Sequence, residues 1–309
     1  MAEVTRRSSR RGPRGQAVNR PRSFIQRGFT PHTEGSKGRP VTIDPADCSI
    51  NSDLTLPSGQ RASSVWHLLS RSAWLIGLLI PGVLLHGAWR LTSTPSPWPR
   101  WFLRHAARAC GACVEQIGTP LRRDVVFVAN HVSWIDILVI GGIVDVRFIS
   151  QDKVRHWPVI GWLAVFDATI FVSRTDRVGV AAQIARVSAA VAGDRPIAIF
   201  PEGTTTDGRS LLPFKPALFA ALEPPPRPLM IQPVVLEFDD RGSALAWIGT
   251  EHGAANALRL LRRPGKFVIG VRFLDAFDSA AAGDRKAIAG EARRRIAAAL
   301  SARYDRAVA

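Results

Sequence analysis

The chain has 309 residues, 46% of them apolar, and carries 41 lysines and arginines against 25 acids, a net charge of +16. The apolar share is enough for a sizeable core in one large domain or two small ones. The charge favours anionic partners: phospholipid surfaces, phosphorylated substrates or nucleic acid. Three cysteines, Cys48, Cys110 and Cys113, are too few and too unevenly spaced for a disulfide framework, and Cys110-Gly111-Ala112-Cys113 lacks the second Cys or His pair that would complete a zinc site.

In chain order, residues 1–62 come first. They are rich in Arg, Pro, Gly and Ser, and between Met1 and Pro40 only Glu3 and Glu34 oppose the cations. Such a segment buries too little apolar surface to offset its ordering entropy, so it reads as a disordered basic arm. It has no apolar run at its start and is not a secretory signal.

Residues 63–99 read as a membrane-associated helical segment. Ser72 to Trp89 is free of charge. At about 1.5 Å per residue it barely reaches the roughly 30 Å of bilayer hydrocarbon. Pro81-Gly82 in its middle should kink or break a helix. A broken hairpin entering one leaflet therefore competes with a marginal span and with a buried core helix. Trp66, Trp74, Trp89, Trp98 and Trp101 gather around it as interfacial anchors do, and the basic arm before it should stay cytoplasmic.

From residue 100 to 309 strands and helices alternate. Cys110 and Cys113 are expected as small apolar residues of a helix. Strands are expected at 125–129, 147–150, 169–173, 196–200, 231–238 and 267–274, and helices at 134–143 and 178–192. A basic, Ala-rich helix from about Ala282 to Arg306 should close the chain, solvated or lying on lipid headgroups. The pattern is an α/β layered domain with a mixed, mostly parallel sheet.

Two strand ends carry chemistry. Val125–Ala129 runs into Asn130-His131-Val132-Ser133-Trp134-Ile135-Asp136 and then into an apolar helical run. Ser133 is the expected N-cap, with Asp136 three residues on. Helical side chains lean toward the helix N-terminus, so the Asp136 carboxylate can meet the turn that carries His131. A histidine held by a carboxylate is what a general base needs. The alternative is a first-turn capping acid beside a loop histidine. Further on, Pro196–Phe200 runs into Pro201-Glu202-Gly203-Thr204-Thr205-Thr206-Asp207-Gly208, which sets a carboxylate, glycines and hydroxyls at a second strand end.

Together these blocks resemble the glycerolipid acyltransferases, the 1-acyl-sn-glycerol-3-phosphate and lysophospholipid acyltransferase family, with its Asn-His-x4-Asp and Phe-Pro-Glu-Gly-Thr motifs. Lys153, Pro158 and Gly161, then Ile170–Arg174, and finally Ile231-Gln232-Pro233-Val234-Val235 follow as weaker blocks. The resemblance spans roughly residues 100 to 275. It implies transfer of a fatty acyl group from acyl-CoA or acyl carrier protein to the free hydroxyl of a lysophospholipid, with no other cofactor and no metal.

On that reading His131 is the base and Asp136 fixes its tautomer. A thiolate is a good leaving group, so no strong acid and no covalent enzyme nucleophile are needed. Backbone N–H groups near Glu202, Gly203 and Thr204 are candidates for the oxyanion. The resemblance places Arg174 and Lys153 on an acceptor phosphate and Glu202 beside the acceptor backbone, with Lys215 a weaker candidate.

One departure stands out. Many family members carry Arg directly after Phe-Pro-Glu-Gly-Thr, and here that position is Thr205. Lysophosphatidate is the first expectation for the acceptor because Arg174 and Lys153 are kept. A zwitterionic lyso-lipid such as lyso-ornithine lipid is the alternative. The expected place is the inner membrane with the site on its cytoplasmic face, and the partners are that membrane and the acyl donor rather than nucleic acid. A serine hydrolase is disfavoured because no G-x-S-x-G is present. A non-enzymatic basic membrane-binding protein would explain the charge but not the motif blocks.

Overall fold

The computed structural model describes residues 60–308, apart from 93, 95, 157–160, 162, 163, 166–168 and 174–178. The expected basic arm, Pro158 and Arg174 therefore lie outside the described residues, except that residues 60–62 open the first helix.

Among the described residues one sheet contains β1 (Ala112–Ile117), β2 (Val125–Ala129), β3 (Arg147–Gln151), β4 (Ile170–Val172), β5 (Ile197–Ile199), β6 (Met230–Phe238), β7 (Phe267–Phe273) and β8 (Phe277–Asp278). The order is β1-β7-β6-β2-β5-β3-β4, with β8 on β6. Pairing is parallel except β6 with β7 and β6 with β8. The expected mixed, mostly parallel sheet is present, and all six expected strands lie in it.

The helices are α1 (Gln60–Trp89), α2 (Trp98–Ala109), α3 (Ile135–Ile143), α4 (Val180–Val191), α5 (Gly253–Arg262) and α6 (Arg285–Val308), with single turns between some of them. Strand periodicity decides which face each residue serves. Val125, Phe127 and Ala129 point into a core shared with Ile135, Val139 and Ile140 of α3 and Leu260 of α5. Val126 and Val128 point the other way, onto Val187 and Val191 of α4, Phe219 and Leu222 of a short 3-10 helix, and Ile288 and Ile296 of α6. Both faces are covered, as a largely parallel sheet requires.

Three expectations need correction. Pro81 does not break the apolar segment: α1 runs unbroken through it. Proline removes one helical hydrogen bond, but packing holds the helix on both sides of it. Leu78 is buried, Leu75 packs on the core, and Gly82 sits against Phe102 of α2. The helical hairpin is therefore α1 with α2. Second, Cys110 and Cys113 do not share a helix. Cys110 caps the end of α2 and Cys113 belongs to β1, an edge strand whose polar Glu115 and Gln116 hid its character. Third, Ser133 is not the N-cap of α3. Trp134 holds that position, and the Ser133 hydroxyl is buried without a partner among the described residues.

Arg71 fastens α1 to the domain, donating to Leu260 O at 2.9 Å and Gly265 O at 2.8 Å. Leu260 lies in the last turn of α5, where carbonyls are unpaired and a cation is favoured. The far side of α1 exposes Trp66, Leu69, Trp74, Ile76, Ile80 and Leu84. Ser64–Trp89 is long and apolar enough to cross a membrane.

Glu237 on β6 ties α6 to the sheet. Its buried carboxylate accepts from Arg272 Nε at 2.7 Å and from Arg303 Nη1 at 2.8 Å. Glu237→Gln should lower stability by about 2–4 kcal/mol, because it removes charge-assisted bonds and leaves two cations facing a neutral group. Thermal unfolding of the purified variant checks this; an unchanged midpoint would count against it.

Candidate active site

The site lies at the carboxyl edge of β2 and β5, adjacent parallel strands whose turns meet. Ligands of open α/β sheets bind at this kind of edge. Asn130, the first residue after β2, is buried and pairs with β6 as a strand residue would. Its side chain donates to Leu236 O at 3.1 Å and accepts from Leu236 N at 2.8 Å. That pins the point where the chain leaves the sheet.

His131 follows. Its Nδ1 is 2.7 Å from Asp136 Oδ2. A carboxylate accepts, so Nδ1 carries the proton and Nε2 keeps the lone pair. The Asp136 side chain is fully buried, while that of His131 is 18% exposed. The same Oδ2 also accepts from Val132 N at 2.7 Å and Ser133 N at 3.0 Å. Asp136 therefore reaches back to the turn as its position on α3 suggested, and three donors fix it. Its bond to Ser133 N is the acid half of a capping box whose serine half is not made.

The imidazole stacks on Phe200, with ring centroids 4.1 Å apart and planes 18° from parallel. Phe200 in turn stacks on Phe148 of β3. Nothing in the sequence around Phe200 signalled this contact beyond its place at the end of β5.

The second turn is laced to the first. Glu202 is buried; its Oε1 accepts from His131 N at 2.9 Å and its Oε2 from Leu212 N at 3.0 Å. Both oxygens hold protein backbone. In return His131 O accepts from Thr206 N at 2.8 Å. Gly208 has φ +76°, and a Cβ there would sit 3.0 Å from Val132 Cγ2, so a glycine lets this turn close onto the His131 turn.

Gly203 N donates to Phe200 O at 3.2 Å, while Thr204 is exposed with an N–H that donates to no acceptor among the described residues. The Thr205 hydroxyl donates to Trp247 O, and Trp247 N donates to Val132 O at 2.9 Å. The segment around Trp247 thus touches both turns, a wall of the site that sequence reading missed. Lys153 is exposed on the 3-10 turn Asp152–His156, at the same edge of the sheet, after β3. Lys215 is exposed at the start of the 3-10 helix Pro216–Leu222, and its N–H donates to Pro201 O. Gln232 of the last motif block bonds Thr119 O, Leu274 O and Leu121 N, so it serves the loop before β2.

A histidine whose ring is held by a buried carboxylate and an aromatic face, at the strand ends of an α/β sheet, has the geometry a general base for a hydroxyl needs, and no group of His, Cys, Asp and Glu fit to hold a metal occurs among the described residues. Comparison with known proteins is consistent with that chemistry. Residues 113–237 match the family model described as Acyltransferase. The chain is 34% identical over 218 residues to a lyso-ornithine lipid O-acyltransferase of Brucella abortus, covering 65% of this chain and 81% of that protein. It is 29% identical to a 1-acyl-sn-glycerol-3-phosphate acyltransferase of Neisseria gonorrhoeae, covering 62% and 77%. The fold matches the crystal structure of a 1-acyl-sn-glycerophosphate acyltransferase from Thermotoga maritima with TM-score 0.58 and 18% identity, over 78% of this chain and 96% of that one. The chain belongs to the acyltransferase family and is an acyltransferase.

Burial raises the pKa of Glu202, against the pull of its bonds from Leu212 and His131. In the folded chain it binds a proton more tightly than in the unfolded chain. Its contribution to stability is therefore largest below the ordinary value of 4.5 and falls as pH rises through the raised folded value. Glu202→Gln should abolish that fall. It should also lower kcat, since an amide NH2 cannot accept from the second N–H and the His131 turn shifts. Thermal unfolding of both proteins from pH 4 to 7, with rates alongside, checks this; parallel stability curves would contradict it.

Proposed function

We propose that the chain moves a fatty acyl group from an acyl thioester to the hydroxyl of a lyso-lipid, with His131 as general base and Asp136 as its orienting partner. The observation that carries the reading is the 2.7 Å contact between His131 Nδ1 and the buried Asp136 carboxylate. His131 Nε2 takes the proton from the acceptor hydroxyl as that oxygen attacks the thioester carbon. The C–O bond forms, the carbonyl oxygen becomes an oxyanion, and its collapse breaks the C–S bond. The thiolate leaves and the imidazolium proton is returned to it or to solvent. We assign the oxyanion to the Thr204 N–H, since the Gly203 N–H is taken by Phe200 O. Glu202 serves by holding the His131 turn, and Lys153 and Arg174 are the candidate contacts for an acceptor phosphate.

For the acceptor, the reading moves toward a zwitterionic headgroup of the lyso-ornithine kind. Thr205 stands where many family members carry a cation, and its hydroxyl is spent on Trp247 O. Relatives named as lyso-ornithine lipid O-acyltransferases share 31% to 36% identity, against 29% for the glycerophosphate relative. Lysophosphatidate remains the second reading, favoured by Lys153. The apolar outer face of α1 supports binding to a bilayer, and we place the enzyme on the cytoplasmic face of the inner membrane.

His131→Ala should remove nearly all transfer while leaving the fold intact, and Asp136→Asn should lose orders of magnitude less completely. Retention of more than about a tenth of the wild-type rate by purified His131→Ala would overturn the mechanism, because a positioned base is worth about 10²–10⁴.

A panel of lyso-lipids should show lyso-ornithine lipid acylated at least about tenfold faster than lysophosphatidate, a gap of about 1.4 kcal/mol. Thr205→Arg should narrow that gap. Faster turnover of lysophosphatidate by the wild type would return the choice to the phosphate acceptor.

A further inference from the structure

One charged surface has no part in the site. Arg100, Arg104 and Arg108 recur every four residues along α2, about 6 Å apart along the axis, and so line one flank of the helix. Arg122, in the loop between β1 and β2, joins them. Burial lowers the pKa of Arg104, and the neighbouring Arg100, Arg108 and Arg122 lower it further. Burial and Arg100 do the same to Arg122. None of the four pairs with a carboxylate among the described residues. Nine other arginines among the described residues do pair with a carboxylate, so four neighbouring cations with none are a concentration of uncompensated charge. Arg104 instead donates to Gly142 O at 3.1 Å, at the far end of α3. Gly142 lets the helices approach this closely, since a Cβ there would lie 2.9 Å from Arg104 Cα. Beside the ridge a shallow groove between α2 and α3 is lined by Ala107, Val114, Leu138, Val139 and Ile143.

We infer that this arginine ridge and its groove dock an acidic acyl carrier protein that delivers the acyl thioester. The inference rests on the acyl-transfer reading above and deepens it by naming the donor. Four clustered cations repel one another, and an anionic partner relieves that repulsion and is steered to it. The apolar centre with a charged rim is the make-up of a protein-binding surface.

Place and shape select the partner. Asp136 and Gly142 are six residues apart on α3, about 9 Å along its axis. The acceptor headgroup must sit next to its own attacking hydroxyl, so the ridge stands too far from His131 to serve it. A donor whose reactive carbon hangs on a long pantetheine arm fits that separation. The ridge is a line along a half-buried helix that ends at the exposed Arg108, with the exposed Arg122 beside it, which suits an acidic helix face better than the compact phosphates of CoA. A bilayer is disfavoured because α1, which carries the exposed apolar face, packs on the Phe102 side of α2. At 100° per residue that side lies about 160° around the helix from Arg104.

The test uses the full chain in detergent, with palmitoyl-acyl carrier protein and palmitoyl-CoA as parallel donors. In the Arg100→Glu/Arg108→Glu double variant, kcat/KM with the carrier protein should fall at least about thirtyfold, mainly through KM. The ratio of carrier-protein to CoA efficiency should fall at least about tenfold. Arg100→Lys/Arg108→Lys should recover most of the loss, because charge and not guanidinium geometry is being read. Equal losses with both donors, or none with either, would overturn the inference. So would a loss confined to binding of anionic phospholipid vesicles, which would give the ridge to the membrane. A wild-type chain inert with both donors and every lyso-lipid would instead sink the acyl-transfer reading. Direct titration with the acyl carrier protein then decides the docking surface by itself, since tight binding lost in the Glu variant supports it and absent binding by the wild type rejects it.

Discussion

The site depends on one buried carboxylate accepting one backbone N–H. Glu202 takes the N–H of His131, and His131 returns its carbonyl to Thr206. These bonds join the turn after β2 to the turn after β5 in both directions. Without them the two turns are separate loops at a sheet edge, free to move by the ångström that the proposed acid–base chemistry does not tolerate. Burial makes the Glu202 bond costly to leave unmade, since a carboxylate out of water needs every partner it has. The histidine is then held from three further sides, by Asp136 at Nδ1, Phe200 against the ring, and Asn130 where the backbone leaves the sheet.

Much of this was legible in the sequence. Strand runs such as Val125–Ala129 and Ile197–Ile199 are continuous and apolar because both faces of the sheet are covered. The reach of Asp136 back to His131 follows from the lean of helical side chains, which is local geometry. The roles of Glu202 and Thr205 were not legible. Both side chains hold backbone groups beyond their own turns, Glu202 at Leu212 and at the distant His131, and Thr205 at Trp247. No periodicity announces such a partner. β1 was hidden for a similar reason. Two of its six residues, Glu115 and Gln116, are polar, and it is a strand because β7 pairs with it. Ser133 misled because a hydroxyl before a helix suggests a cap, whereas the turn had already given its N–H groups to Asp136.

Pro81 shows tertiary structure overriding a local rule. A proline inside an isolated helix interior costs about 3 kcal/mol or more. In α1 the residues around it are held by the domain: Arg71 on the end of α5, Leu75 on the core, Gly82 on Phe102, and His86 Nδ1 within 2.7 Å of Ser96 Oγ. Anchors spread along the helix supply what the local sequence lacks. They also fix which face of α1 is left outward, and that face is apolar. The helix is therefore an outrigger of the catalytic domain, oriented by it and not by its own composition.

The net charge of +16 is not a uniform property of the surface. Within the domain, Arg195, Arg227, Arg259, Arg272, Arg294, Arg295 and Arg303 all face carboxylates, and several also hold carbonyls. These guanidiniums act as multi-donor clamps between elements, as their planar fork allows. On α2 the three arginines lie on one flank, a fourth joins them from a different loop, and none of the four pairs with a carboxylate among the described residues. Repulsion in such a group is a standing cost that exchange of any one member for a neutral residue would relieve, so its persistence in the fold argues for a partner that supplies the missing negative charge.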